Sequence, residues 1–478
     1  MPFKPVLLWT DVLIWLLVAV IALFAWYVRR HDHLRAPWRR VGQSKGGMAS
    51  ATVLLVFVAI GLVDSVHFRP ALPDRVGQRV YGIEILSVLD WLAGPLRIHK
   101  EKTYSAPLAT HLFAKETVEL PGGSQVRSHP RLQYGGAHLK DPVVEWEGDV
   151  LSRATAGVAA GAAIWLALAL LLCWSLAWRR AQDMKAAWRA IWCGETALSW
   201  AAVLVATAAV LAVAGPLVAL AAKYHVFGTD KIGQDVFFLA LKSIRTGLVI
   251  GTLATLVMLP FALLFGTMAG YFRGVVDDLI QYFYTTLASI PGVLLIAAAV
   301  LMMHVYIETN ADRFETTVQR ADFRLLWLCV ILGVMGWVGL CRLLRGETLK
   351  LREMEYIQAA RAFGVSHFRI IVRHIFPNVM HIVLIVAVLD FSGLVLAEAV
   401  LAYIGIGVDP SMISFGGMIN SARLEMAREP MVWWLLAAAF LFMLGIVLSA
   451  NLLTDAIRDA FDPRIRAARP LRPAARKA

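Results

Sequence analysis

Nine stretches of this chain are each apolar over about twenty residues, and no other feature limits its fold so strongly. A helix rises about 1.5 Å per residue and the hydrocarbon core of a bilayer is about 30 Å thick, so a stretch of that length is what one helical crossing takes. The stretches run approximately Val6–Val28, Met48–Phe68, Ala154–Trp178, Thr196–Ala222, Thr246–Gly270, Leu279–Met303, Leu325–Leu344, Val379–Ile404 and Met431–Leu453. The first is too long for a cleaved leader, has only Lys4 ahead of it and carries its flanking charge behind it, so it is kept as a span. Hydrophobic residues make up 59% of the chain and charged residues 17%, which excludes an ordinary soluble enzyme. The expected fold is an all-α polytopic membrane protein with about nine transmembrane helices.

Lysine and arginine number 46 against 34 aspartates and glutamates, a net charge of +12. They lie in short segments between the apolar stretches rather than in one patch, so they report topology and give no reason to expect a nucleic-acid partner. Segments 29–47, 179–192, 345–378 and 456–478 are basic and are expected on the cytoplasmic side. Segment 304–324, with Glu308, Asp312, Glu315 and Asp322, is expected outside; only the short turn at Arg273, Asp277 and Asp278 is out of step. The N-terminus is then outside and the C-terminus cytoplasmic.

The polar stretch 69–153 falls outside the membrane. It holds turn signals at Pro121-Gly122-Gly123 and Tyr134-Gly135-Gly136 and a short strand-like run, Thr117-Val118-Glu119-Leu120, which supports a small extracytoplasmic domain of unassigned fold. His111, His129 and His138 match no metal spacing and are read as solvated loop histidines. Cys173, Cys193, Cys329 and Cys341 lie in or beside apolar stretches and are read as small buried hydrophobes, and no metal site is expected.

Between the seventh and eighth spans lies a polar segment with local structure of its own. Residues 353–363, from Glu353 to Phe363, favour a short helix that Gly364 ends by accepting a left-handed conformation. A second short helix can start at Ser366, its hydroxyl capping exposed amides, and Pro377 limits its continuation. On the first helix Met354, Ile357 and Arg361 share one face, while Tyr356, Ala359, Ala360 and Phe363 form an adjoining apolar strip with small residues at its centre. Such a strip between arginines, held in water beside a membrane, suits a docking partner; a helix lying on the membrane interface or under the bundle is the alternative.

The run Gln358-Ala359-Ala360, three residues, Gly364, nine residues, His374 and Pro377 resembles the Glu-Ala-Ala loop of ABC importer permease subunits, most closely the oligopeptide, dipeptide and nickel type. Gln358 stands where that family often has glutamate. The segment His225–Val236, with Gly228-Thr229-Asp230 and Gly233-Gln234-Asp235, is similar to the family's external segment before its second core span, with Gln234 in place of arginine. Ala269–Asp277, Leu401–Gly407 and Asp455–Arg464 are similar to further family segments, so that the resemblance covers about Thr196 to Arg466.

The apolar stretches and charges divide the chain into two N-terminal helices and a basic cytoplasmic loop (1–68), an extracytoplasmic domain (69–153), a third helix and basic loop (154–192), a six-helix segment (193–466) and a basic tail (467–478); the resemblance implies that 193–466 is the permease core, and the parts before it lie outside the resemblance. The resemblance also implies residence in the bacterial cytoplasmic membrane and partnership with ABC ATPase subunits, a second permease subunit and an extracytoplasmic solute-binding protein. Glu353, Tyr356, Ile357, Gln358, Ala359, Ala360, Arg361, Phe363, Gly364, His374 and Pro377 would form the ATPase-coupling loop, and peptides the cargo. No phosphate-cradling Gly-x-x-x-x-Gly-Lys-Ser/Thr, zinc-protease His-Glu-x-x-His or Gly-x-Ser-x-Gly occurs, so no catalytic residue and no cofactor is expected on this chain, with ATP and magnesium held by the partner ATPases. An ion-coupled secondary transporter is the alternative, because Asp390 and Glu398 lie inside the eighth span, eight residues or about two turns apart, where a carboxylate is costly.

Overall fold

The computed structural model describes residues 3–71, 81–119, 125–180, 183–314 and 316–461. Strand β1 (Phe3–Val6) leads into helices α1 (Trp9–Arg30), α2 (Asp32–Gln43) and α3 (Lys45–Asp64). The polar stretch contains β2 (His67–Pro70), β3 (Leu86–Ser87), α4 (Val88–Leu92), α5 (Gly94–Ile98), β4 (Glu116–Glu119) and β5 (Gln125–Ser128). There follow α6 (Pro142–Arg180), α7 (Met184–Cys193), α8 (Trp200–Ala221), α9 (Val236–Phe272), α10 (Val275–Ser289), α11 (Gly292–Thr309) and α12 (Thr317–Arg352). Then come α13 (Glu355–Ala362), α14 (His367–Ile370), a π turn (Ile371–Ile375), α15 (Phe376–Tyr403), α16 (Phe415–Glu425) and α17 (Trp434–Phe461). Among the described residues nine helices are long and apolar enough to cross a membrane, those around α1, α3, α6, α8, α9, α11, α12, α15 and α17.

Three expectations change. The first two spans lose their outer ends to a sheet: α3 stops at Asp64, and the chain beyond it pairs antiparallel with β1, Val6 opposite His67 and Pro5 opposite Phe68. The apolar residues there serve strands, which find their hydrogen bonds in each other. The sixth stretch is two helices, because Pro291 has no amide to give and holds Ile290 extended (φ −86°, ψ 129°); the crossing helix is α11, starting at Gly292. Cys193 is exposed at the end of α7, whereas Cys173, Cys329 and Cys341 are buried. The strand-like run at Thr117 belongs to β4, which pairs with β5; its Leu120, the Pro121-Gly122-Gly123 turn, Asp462-Pro463-Arg464 and the basic tail lie outside the described residues.

The chain divides into two compact units. Among the described residues, one takes those of 3–6, 27–245 and 413–461; the other takes those of 7–26 and 246–412. In the first, α6 and α8 approach backbone to backbone: a Cβ on Gly157 would stand 2.6 Å from the Gly215 carbonyl oxygen, and one on Gly161 2.7 Å from that of Leu211. α3 packs on α17 through side chains, with Gly445 against the Phe57 ring and Gly47 against Ala456. α7 lies along α6, burying Ala187 and Ile191 with Cys173 and Ala177. Lys242 at the start of α9 is held by Asp64 (2.7 Å) and Asp90 (3.1 Å).

In the second unit α9 and α12 are the central pair. Gly266 lets α9 come within reach of the Cys341 carbonyl, Gly270 that of Arg345, and Gly333 of α12 that of Ala254. One apolar core gathers Met258, Trp337, Leu340 and Leu344, and a second gathers Ile250, Leu325, Leu328 and Leu401. The start of α1 is capped within this unit, where the Thr10 amide donates to Asp322 Oδ2 at 3.1 Å and the Thr10 hydroxyl to the same carboxylate, while Leu13 and Ile14 pack on the second core.

Candidate functional site

The segment between α12 and α15 folds as an elbow. α13 closes in a Schellman turn: Gly364 is left-handed (φ +73°), its amide donates to the Arg361 carbonyl (3.0 Å), and the Val365 amide reaches back to that of Ala360 (3.1 Å). The elbow sits on the first apolar core. Ile357, Ile370 and Ile375 are fully buried there with Tyr271 and Leu344, and Ala360 and Val365 pack against the same cluster.

The opposite side of the elbow faces outward. Gln358, Ala359, Arg361 and Ala362 are exposed, Tyr356 is 44% exposed, Phe363 86% and Phe368 77%. The two expected faces are therefore regrouped: Ile357 turns inward, away from exposed Met354 and Arg361, and Ala360 follows it one turn on. An eight-residue helix resting on the end of a bundle buries only the narrow row i, i+3, here Ile357 and Ala360. An open crevice of about 590 Å³ runs beside it, lined by Gln358, Arg361, Ala362, Gly364, Val365, Ser366 and His367.

Two local expectations are corrected here. Ser366 precedes α14, but its hydroxyl makes no cap bond; its carbonyl, not its side chain, takes the Ile370 amide (3.1 Å). Pro377 does not stop the helix. It lies in the first turn of α15, directly after the π turn, where a residue without an amide is tolerated, and the Asn378 side chain supplies a donor to the His374 carbonyl at 2.7 Å. The helix therefore runs from the elbow into the span without a break.

Side chains far apart in sequence tie the elbow down. Arg273 pairs with Glu353 (2.5 Å), Arg352 donates to the Tyr271 carbonyl (2.7 Å), and the Tyr271 hydroxyl meets His367 Nδ1 at 2.8 Å. Gln358 turns back to the Glu353 carbonyl (3.1 Å), Asn378 donates to the Tyr356 hydroxyl (3.2 Å), and the His374 ring lies 6.0 Å from that of Tyr356. Arg345 grips Asp277 through two bonds of 2.6 and 2.7 Å, joining α12 to α10. Tyr271, Arg273, His367 and Phe368 were not among the expected site residues. Their partners lie up to 96 positions away, and only an exposed aromatic, Phe368, in a polar segment offered a signal.

A second site forms in the first unit around Gly228, Thr229, Asp230, Gly233 and Asp235. Asp230 folds the loop by accepting the amides of Ile232 (2.9 Å) and Gln234 (2.8 Å), while Asp235 caps α9 through the amides of Phe237 (2.8 Å) and Phe238 (3.1 Å). The polar stretch is bonded directly onto this loop. Thr229 Oγ1 accepts the Ser105 amide (2.7 Å) and donates to the Thr103 carbonyl (2.8 Å), and the Glu101 amide donates to the Gly233 carbonyl (2.9 Å). Gly233 is left-handed (φ +74°) and so close that a Cβ would fall 1.8 Å from the Glu101 carbonyl oxygen.

Between the two lies a buried charge cluster. His225 Nδ1 is 2.6 Å from Asp235 Oδ2 and its Nε2 3.5 Å from Glu101 Oε1, while Glu101 accepts the amides of Gln133 (2.9 Å), Tyr134 (2.8 Å) and Gly135 (3.1 Å). Burial alone would push the His225 pKa down, but the Asp235 hydrogen bond and the charges of Asp235 and Glu101 prevail and raise it to about 9. Burial likewise works against ionised Glu101, and the nearby His225 ring with the three amides outweighs it, lowering that pKa to about 2. In sequence His225 is only the first residue of the external segment, with no role of its own, and Glu101 carries no signal, since their pairing is legible only in the fold.

The two carboxylates of α15 have different surroundings: Glu398 is buried and Asp390 half-buried. Among the described residues no group of three or more His, Cys, Asp or Glu side chains is arranged to hold a metal ion.

Residues 262–467 match the family model described as binding-protein-dependent transport system inner membrane component. The stretch includes the whole elbow. The chain is 33% identical over 245 residues to the oligopeptide transport system permease protein OppC of Mycobacterium bovis, a match covering 51% of this chain and 78% of that protein. It is 29% identical over 243 residues to OppC of Haemophilus influenzae (51% and 71% covered) and 29% identical over 242 residues to the dipeptide transport system permease protein DppC of Bacillus subtilis (51% and 69% covered). With an elbow built on the helical core and relatives matched over most of their own length, this chain belongs to the family of binding-protein-dependent transport system inner membrane components, the permease subunits of ABC importers.

Proposed function

We propose that this permease carries peptides into the cell and that the elbow Glu353–Pro377 is where partner ATPases drive it. Peptide cargo is the reading supported by the names of its relatives, oligopeptide and dipeptide permeases. The coupling role rests on one observation: Ala359 and Phe363 face outward on the same short helix whose Ile357 is locked into the core beneath. A protein that grips the outer face moves the core with it. Such a partner can shift the equilibrium between two access states only by its difference in affinity for them, so the ATPases must hold this helix differently with and without nucleotide.

In this reading the elbow and the C-terminus are cytoplasmic, the N-terminus and the loop at Gly228–Asp235 face outside, and the membrane is the bacterial cytoplasmic membrane. ATP and magnesium are bound by the ATPases and not by this chain; a second permease subunit completes the pathway and a solute-binding protein delivers the cargo. The 193–466 segment serves as the permease core, with 1–68, 69–153 and 154–192 as additions to it. Ion coupling through Asp390 and Glu398 is not favoured by the family membership.

The test is Ala359→Arg, assayed for ATP-dependent peptide uptake in vesicles containing the assembled transporter. Uptake is expected to fall at least tenfold with the permease still inserted at the wild-type level. Undiminished uptake would remove the elbow from the coupling path.

A further inference from the structure

We propose that α7 and the end of α6 form a binding site for the headgroup of an anionic phospholipid, with α7 lying in the plane of the membrane surface. The reading rests on the chain being membrane-spanning and not on the coupling role of the elbow.

α7 is a ten-residue amphipathic helix between two spans, and its three sides differ in chemistry. Ala187, Ala190 and Ile191 are buried, with Ala187 and Ile191 packed against α6 and α8. Next to them, Met184, Trp188 and Trp192 make an outward row at spacing i, i+4, i+8, and Lys185 and Arg189 make a parallel exposed row one residue on. Tryptophan has a large apolar body and a polar N–H, so it settles at the boundary between acyl chains and headgroups. A basic row alongside it then stands at the level of the phosphates.

The neighbouring helix end repeats the pattern. Trp174 and Trp178 of α6 stack one turn apart (6.3 Å between centroids), Trp178 is 78% exposed, and Arg179 follows at once. Arg179, Lys185 and Arg189 are all exposed, and none makes an ion pair among the described residues. Asp183 and Glu195 flank α7 but lie off its basic row. A loop closing α7 onto α8 places another cation at the same end of this unit: the Ser199 amide donates to the Gly42 carbonyl at 2.7 Å, next to exposed Lys45 at the start of α3. A soluble protein on α7 would leave the Trp174 and Trp178 rings of a spanning helix still facing lipid. A phospholipid meets both rows at once, acyl chains on the indoles and phosphate on the cations.

The experiment is native mass spectrometry of the full-length chain in micelles containing equal phosphatidylglycerol and phosphatidylcholine. Wild type is expected to retain phosphatidylglycerol preferentially, and Lys185→Gln/Arg189→Gln to lower that preference about 25-fold, at about fivefold for each charge near a membrane surface. Lys100→Gln/Lys102→Gln, on the polar stretch, should leave it unchanged. Adding 0.5 M salt to the wild type provides a reading independent of any substitution, and it should weaken retention by screening exposed charge. Equal retention of both lipids by the wild type, or an unchanged preference in the folded double variant, would overturn the proposal. Neither readout depends on uptake.

Discussion

His225 links two parts of one unit that the sequence keeps more than a hundred residues apart, since Glu101 belongs to the polar stretch and Asp235 to the cap of α9. The chemistry sets a pH range. The His225 pKa rises on folding from 6.5 to about 9, so its contribution to stability is complete below about 6.5 and is lost as pH rises through 9. That of Glu101 falls from 4.5 to about 2, so its contribution is present above 4.5 and is lost as pH falls through 2. The cluster therefore holds the polar stretch most firmly between about pH 4.5 and 6.5. Thermal unfolding of purified protein from pH 6 to 10 should show a melting temperature that falls progressively between about pH 6.5 and 9, a loss that is absent from His225→Gln. A melting temperature that falls equally in both proteins would place the alkaline transition elsewhere. These residues were hidden in sequence because a buried ion pair has no local signature; Gly228, Thr229, Asp230, Gly233 and Asp235 were legible as a segment, but not what they grip.

Among the elements, α13 shows how far local chemistry reaches. Its helix formers and the left-handed Gly364 were readable because a Schellman turn depends on adjacent residues only. Which alanine faces the core was not, because Ala359 and Ala360 are chemically the same and only the position of the elbow on α9 and α12 separates them. Ile357 carries the consequence. Truncating a fully buried isoleucine removes its transfer free energy and leaves a cavity, so Ile357→Ala should destabilise the protein by about 2–5 kcal/mol. Phe363→Ala, 86% exposed, should change stability by no more than about 0.5 kcal/mol. Melting in detergent checks both; a Phe363→Ala loss equal to that of Ile357→Ala would mean that the outer face is structural. The break between α10 and α11 at Pro291 was open to the same local reasoning and was obscured by the continuous apolar run around it.

Across the molecule, the crossing helices were the most legible part, since about twenty apolar residues in a row have few other uses. The sheet was not. Phe3–Val6 pairs with His67–Pro70 more than sixty residues away, and backbone pairing at that distance leaves no periodic trace in side chains. The bonding of the polar stretch to the external loop is of the same kind, made largely by main-chain groups. The turn at Ile371–Ile375 is wider than an α turn and stores one spare residue between α14 and α15. Deleting Val372 should let the ladder close to ordinary spacing and leave the residues on either side in nearly the same phase, because five residues of the wide turn advance the screw by about as much as four of an α-helix. Chemical labelling of cysteines placed at 359 and 357, after replacement of exposed Cys193, should then stay as in the parent, with 359 open and 357 closed. Loss of that contrast would show that the elbow depends on the wide turn for its orientation. The turn is thus slack in the linkage, a spare tooth that can be lost without slipping the gear.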